Sequence, residues 1–244
     1  MNIKTSFIKI YEKQFFHPNW LMGIWLNPFF ITRNKLMQGI EEMALDFKGG
    51  LLLDIGCGSK PYEDLFNVKE YVGIDIEVSG HDHVHSKIDK FYDGKNIPYE
   101  DEHFDWIFSS EVFEHVFNLE ELLEEIHRVI KKGGQMGFTC PFIWDIHEEP
   151  YDYARYTPHA LEYLMNKKGF EVVKIKKSSN HLETIFQTIT SYFYLYVLPK
   201  NKYLRLILVP IFIAPLNISG ILLGKIFKDS GNFYHNNIVV VKKK

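Results

Sequence analysis

Leu51-Leu52-Leu53-Asp54-Ile55-Gly56-Cys57-Gly58 is the stretch on which the fold of this chain turns. A continuous apolar run suits a parallel strand covered on both faces. Asp54 then falls at its carboxyl end, where open α/β sheets bind their ligands. Glycine at 56 and 58 lets main chain and ligand approach with no Cβ between them. Alone, a Gly-x-Gly turn is a weak signal, equally at home in a tight turn with no ligand. The surrounding segments decide between the two.

Upstream, a helical pattern runs from about Thr32 to Phe47 and stops at Gly49-Gly50. Downstream, Tyr71 to Ile76 is a second strand whose end again carries an acid, Asp75, and Val84 to Ile88 reads as a third. The link between them is too short for a full crossover helix. Phe104 to Phe108 reads as strand four. An amphipathic helix follows from Asn118, placed as its N-cap, through Leu122, Leu123, Ile126, Val129 and Ile130 to Gly133-Gly134. Strand five is Gln135 to Thr139. Thr157-Pro158 starts a helix carrying Leu161, Leu164 and Met165 as far as Gly169, and strand six is Phe170 to Ile175. Ile238 to Val241 is the last strand.

The chain has 244 residues, 46% hydrophobic and 24% charged, enough for one well-cored domain or a domain with an appendage. A net charge of -3 argues against a nucleic-acid surface built on phosphate neutralisation. Lys242-Lys243-Lys244 reads as a short basic tail, either solvated or touching an anionic membrane. Two cysteines make no disulfide framework, and the amino terminus lacks the basic-then-apolar order of a cleaved signal peptide. A cytoplasmic, reducing compartment is expected.

Leu53-Asp54-Ile55-Gly56-Cys57-Gly58, Gly73-Ile74-Asp75, Ile97-Pro98-Tyr99, Phe104-Asp105 and Arg128 to Gly134 occur in the order seen in class I S-adenosylmethionine-dependent methyltransferases. Over roughly Gly49 to Ile175 plus the final strand, the chain resembles that family in its type 11-like form. The resemblance implies an α/β, Rossmann-like, seven-stranded, mostly parallel sheet, with an antiparallel last strand beside strand six. An apolar helical insertion lies between strands six and seven. The expected division is an N-terminal helical cap at 1–48, an S-adenosylmethionine-binding core at 49–180, the insertion at 181–235 and the final strand at 236–244. By the same resemblance, Asp54 and the turn Gly56, Cys57 and Gly58 face the methionine end of the cofactor, although Cys57 also reads as a small packing residue. Asp75, with Ile76 beside it, takes the ribose hydroxyls. Asp93 and Gly94 meet the adenine, and Ser109 and Ser110 line the methionine moiety.

Pro61 stands where a dinucleotide fingerprint carries its third glycine, which ranks a nicotinamide-dependent oxidoreductase well below methyl transfer. Methyl transfer needs alignment of nucleophile, methyl carbon and sulfur, and a base when the acceptor is a hydroxyl. Two loops at the strand ends supply candidates, Glu111 to His115 and Trp144 to Thr157. His147 is the preferred base and His115 the second candidate. Tyr151, Asp152, Arg155 and Tyr156 are the candidate acceptor contacts. Alternatively, His115 braces its turn and Arg155 pairs with Asp152 to fix the loop. His81, His83 and His85 alternate as metal ligands on one strand face would, but nothing nearby supplies a fourth ligand, and no metal is expected.

Between strands six and seven, Ile185 to Leu198 is mostly apolar and aromatic, and Leu206 to Gly224 carries no charge. Pro210, Pro215, Asn217 and Gly220 interrupt it, and a last strand that returns to the same sheet forbids a single crossing. Peripheral insertion into one leaflet or a cover over the acceptor pocket fits better, with burial in a homodimer as the alternative. The His147 to Thr157 loop and Lys60-Pro61-Tyr62 resemble a bacterial subgroup tied to cell-surface polysaccharide assembly, which implies a small-molecule or lipid-linked glycan acceptor. A catalytically silent membrane scaffold that binds the cofactor is the other class of function. The aromatic-rich segment up to Pro28 reads as a lid or a second anchor.

Overall fold

The computed structural model describes residues 14, 16–77 and 86–244. These divide into two compact units, one of residues 39–176 with 237–244 and one of residues up to 38 with 177–236.

The first unit holds the sheet. Its strands are β1 (Leu51–Ile55), β2 (Glu70–Ile76), β3 (Lys90–Tyr92), β4 (Phe104–Ser110), β5 (Ile130–Pro141), β6 (Phe170–Lys177) and β7 (Asn236–Lys243), in the spatial order 3-2-1-4-5-7-6. β1 pairs in parallel with β2 and β4, β2 with β3, and β4 with β5. β7 runs antiparallel to β6: Lys244 N donates to Gly169 O at one end, and Ser178 N donates to Asn236 O at the other. The order reverses between β1 and β4, which makes their carboxyl ends the switch point.

Local chemistry explains the helices around it. α1 (Trp20–Leu26) and α2 (Phe30–Ala44) precede the sheet, and α2 lies against it where glycines leave room. A Cβ on Gly137 would sit 2.1 Å from Met43 Sδ, and one on Gly39 would sit 2.0 Å from Ile238 Cδ1. α3 (Leu119–Val129) buries Leu119, Leu122, Leu123, Ile126 and Val129 along one stripe. At ~1.5–3 kcal/mol per buried side chain, this stripe dominates the helix's attachment. α4 (Pro158–Lys167) starts as expected, with Pro158 in its first turn and Thr157 Oγ1 accepting from Ala160 N at 3.2 Å.

Two expectations need correction, on the third strand and the basic tail, and a third holds. The third strand is Lys90–Tyr92; residues 86–88 are not strand, and Val84 and His85 lie outside the described residues. Asn118 is the N-cap of α3 as expected, its main-chain carbonyl accepting from Glu121 N and Leu122 N, with no hydrogen bond from its side chain. Lys242-Lys243-Lys244 is not a tail, since β7 carries it into the sheet and Lys243 Nζ donates to Ile130 O at 2.8 Å and Glu102 Oε1 at 3.3 Å.

The second unit joins the amino-terminal helix α1 to the insertion. That insertion comprises α5 (His181–Tyr192), α6 (Lys202–Leu208) and α7 (Ala214–Ile226), with wide helical turns at Phe193–Val197 and Val209–Ile213. Asn180 and Glu183 form a reciprocal capping box at the start of α5. Buried amides lock the unit together: Gln187 Nε2 donates to Pro28 O at 2.9 Å, and its Oε1 accepts from Thr32 N at 3.2 Å. Asn217 Nδ2 donates to Ile24 O and Asn27 O, each at 3.3 Å. One helical stretch among the described residues, Tyr203–Ile226, is long and apolar enough to cross a membrane.

Candidate active site

β1 delivers Asp54 to the switch point, and register decides its neighbours. Asp54 lies opposite Gly73 in a parallel pair, so Tyr71, Gly73 and Asp75 present the same face of β2 that Asp54 presents on β1. Tyr71 Oη donates to Asp54 Oδ2 at 2.6 Å beneath the surface. Burial pushes the Asp54 carboxyl up to about 7; the Tyr71 hydrogen bond opposes the rise and the charge of Asp75 adds to it. The two acids expected to share a crevice are thus close enough to repel.

Gly73 needs its missing side chain, because a Cβ there would lie 2.5 Å from both Cys57 Sγ and Lys60 Cε. Lys60 folds back over it, buried, and its ammonium donates to Tyr71 O at 3.3 Å and to the Asp89 carboxylate. Asp89 also accepts from Gly73 N at 2.7 Å. Around this turn the described acids Asp54, Asp75 and Asp89 gather near the buried cation Lys60. Carboxylates at such a turn suit a ligand bearing a sulfonium and an ammonium better than the pyrophosphate of a dinucleotide.

Asp75 is partly exposed. Its Oδ2 accepts from Gly58 N at 3.0 Å and its Oδ1 from Ile76 N at 2.8 Å, which leaves carboxylate lone pairs for a vicinal diol. At Gly58, with φ +48°, a Cβ would meet nothing within 4 Å, so the turn faces open space where a ligand can approach. Gly56, with φ +74°, has no such room, because a Cβ would lie 2.4 Å from Val112 Cγ2. Cys57 is buried, and burial raises its thiol well above the ordinary range, which fits packing and no ionic role.

Asp93 is exposed and ties its own loop: Oδ1 accepts from Lys95 N and Asn96 N, and Oδ2 accepts from Asn96 Nδ2. Those bonds from Asn96 and Lys95 hold its carboxyl down to about 2. Gly94 beside it adopts φ +77°. Ser109 Oγ donates to Ile55 O at 3.0 Å, and Ser110 Oγ pairs with Thr139 Oγ1 at 2.9 Å. Both hydroxyls stitch neighbouring strands. His81, His83 and His85 lie outside the described residues.

The loops that follow β4 and β5 meet. The His115 and His147 rings stand edge to face with centroids 4.8 Å apart. His115 Nδ1 contacts Tyr151 O at 3.0 Å, and His147 Nδ1 contacts Asp145 O at 3.2 Å and Asp152 Oδ2 at 3.3 Å. Burial, then the neighbouring His115, lowers the His147 imidazole below its ordinary 6.5. Arg155 grips Asp152 with both terminal nitrogens, at 2.5 and 2.7 Å, so these two side chains fix the loop as the ion-pair reading anticipated. Tyr151 and Tyr153 remain exposed beside them, and Tyr156 is half-buried, its carbonyl accepting from Asn237 Nδ2 at 2.9 Å.

Tyr71, Lys60 and Asp89 have no place among the site residues expected from sequence, although the period of two from Asp75 points to Tyr71. Nor has Glu114, which is fully buried between Phe113 and His115, a separate role there. Among the described residues, four non-glycine positions have positive φ, and three of them, Lys60, Glu111 and Glu148, lie in these loops. Strain of this kind collects at working sites.

A doubly wound sheet with an acid at the end of each of its first two strands and an open glycine turn between them has the class I methyltransferase architecture. The family described as methyltransferase domain matches residues 31–175, and the chain belongs to it. It is an S-adenosylmethionine-dependent methyltransferase. An uncharacterized protein of Methanocaldococcus jannaschii, MJ1123, is 27% identical over 161 residues, covering 62% of this chain and 76% of its own. The [4+2]-cyclase SpnF superposes with a TM-score of 0.54 at 16% identity, over 84% of this chain and 79% of its own. Phosphoethanolamine N-methyltransferase 2 of Haemonchus contortus, solved with S-adenosyl-L-methionine, superposes with a TM-score of 0.52 at 17% identity, over 95% of this chain and 59% of its own. At these identities the two structures attest the fold and leave the acceptor open.

Proposed function

We propose that the enzyme methylates a hydroxyl of a saccharide carried on a lipid, working at the cytoplasmic face of a membrane. The observation that carries the hydroxyl reading is the meeting of His115 and His147 at the carboxyl ends of β4 and β5. A lowered imidazole is neutral near pH 7 and can take a hydroxyl proton. Bound S-adenosylmethionine supplies an electrophilic methyl group on sulfur. Asp75 and the Gly56 to Gly58 turn hold its ribose and methionine ends, Asp54 faces the charged end, and His147 accepts the acceptor's proton. Exposed aromatic rings at Tyr151 and Tyr153 give the acceptor flat apolar surface beside polar groups.

The lipid half of the reading rests on the insertion. Exposed Leu206, Ile207, Ile211, Phe212, Leu222 and Ile226 form more apolar surface than a solvated helix pair needs. Its two ends are bonded together, with His235 N on Ser179 Oγ at 3.0 Å and Asn236 N on Ser178 Oγ at 2.9 Å. A single span would part those ends by ~30 Å, so shallow insertion into one leaflet is the compatible mode. Incubating the protein with radiolabelled methyl donor and a membrane extract, then separating lipid, glycan and protein, tests the proposal. Label in a lipid-linked glycan is expected; label confined to protein or to a water-soluble amine would overturn it.

A further inference from the structure

The Glu114 carboxylate is fully buried, and neither of its oxygens has a hydrogen-bond partner. A buried, unpaired carboxylate must either hold a proton or face a cation. His115 Nε2 is also buried without a hydrogen-bond partner, 3.7 Å from Glu114 Oε1 and 3.6 Å from Glu148 Oε1. One ligand atom from each of Glu114, His115 and His147 lies within 4.8 Å of the others. These donors converge without bonding to each other.

We propose that Glu114, His115 and His147 bind a divalent transition-metal ion at the carboxyl ends of β4 and β5, with Glu148 as an additional donor at its rim. Both rings are already oriented for it. The main-chain carbonyls of Tyr151 and Asp145 can only accept, so each neutral imidazole places its proton on Nδ1 and keeps the Nε2 lone pair for a ligand. The Asp152 carboxylate behind His147 Nδ1 supplies the outer support usual for a metal-bound histidine. Two imidazoles with carboxylate oxygen suit manganese, iron, cobalt or zinc better than magnesium or calcium. Three protein donors with one more at the rim leave coordination positions for an acceptor hydroxyl. This donor set is distinct from the alternating histidines at 81, 83 and 85 that suggested a metal on paper. The inference rests on the hydroxyl-acceptor reading and replaces its direct proton transfer: with the ion on its Nε2, His147 is a ligand and takes no proton, the cation would acidify the hydroxyl it holds, and that proton would pass to Glu148 at the rim or to water.

Cobalt(II) titration of the full chain, read by its visible ligand-field absorption, tests the site without acceptor or activity. One equivalent is expected to bind in the wild type. Glu114→Gln and His147→Ala should abolish the band. Asp152→Asn should weaken binding by about 10–100-fold. Replacing His81, His83 and His85 together by alanine should leave the band in place. S-adenosylhomocysteine binding, measured on each variant, establishes that it has folded; should Glu114→Gln fail there, the half-exposed His147→Ala carries the test. Absence of stoichiometric binding in the wild type would overturn the proposal, as would a band that survives His147→Ala or vanishes with the triple histidine variant. Retained S-adenosylhomocysteine binding in that event leaves the methyltransferase reading standing.

Discussion

Replacing Asp54 by asparagine should make the protein more stable at pH 8 and change it little at pH 4. The carboxyl is completely buried and pushed from the ordinary 3.8 up to about 7, chiefly by loss of water and further by Asp75. The folded state therefore holds this proton more tightly than the unfolded chain does. Its contribution to stability is complete below pH 3.8 and is lost as pH rises toward 7. At ~1.4 kcal/mol per pH unit, the ionised carboxylate costs about 4 kcal/mol of folding free energy above pH 7. Asparagine keeps an oxygen to accept from Tyr71 Oη and carries no charge. Urea unfolding at half-unit steps from pH 4 to pH 8 reads the difference between wild type and Asp54→Asn. That difference should open with rising pH, in the variant's favour. A constant difference across the range would refute the reasoning, because it would mean that Asp54 ionises as freely in the folded protein as in the unfolded one.

Five further outcomes follow from the same geometry. Gly56→Ala forces a Cβ within 2.4 Å of Val112 at positive φ and should lower stability by ~1–3 kcal/mol in thermal melts. Gly58→Ala meets open space, so its main effect should be weaker S-adenosylhomocysteine binding by calorimetry, and a melting temperature that falls as far as that of Gly56→Ala would contradict this. His147→Ala should abolish methyl transfer and spare cofactor affinity. Since the His147 imidazole is lowered and must be neutral either to accept a proton or to hold an ion, the acid limb of kcat/KM should lie below pH 6.5, and a limb above it would remove His147 from both roles. Leu206→Asp with Phe212→Asp should release the protein from anionic vesicles in a flotation assay, and unchanged flotation would detach the insertion from lipid.

What the sequence disclosed and what it hid have physical causes. β1 was legible because a strand covered on both faces prints an apolar run, and β2 and β4 because short apolar stretches at their centres are flanked by polar residues at their ends. α4 was legible because Thr157-Pro158 is a start signal with a mechanism. β3 was misplaced because a three-residue edge strand, largely exposed, has no buried face to imprint a period. The joining of α1 to the insertion was invisible, since it depends on Gln187 and Asn217 reaching main-chain carbonyls more than 150 residues away. At the site, Asp75 and the glycine turn could be named from spacing, whereas Lys60 folding over Gly73 could not. A short turn also does not declare which side faces inward, and Glu114 would pass for a solvated acid on paper.

The most direct test of the account is calorimetric titration of S-adenosylhomocysteine and of NAD into the wild type and Asp75→Asn. Saturable binding of the first ligand, none of the second, and a loss of about 10-fold or more in Asp75→Asn are predicted from a carboxylate that holds the ribose. Binding of NAD, or S-adenosylhomocysteine affinity indifferent to Asp75, would contradict it.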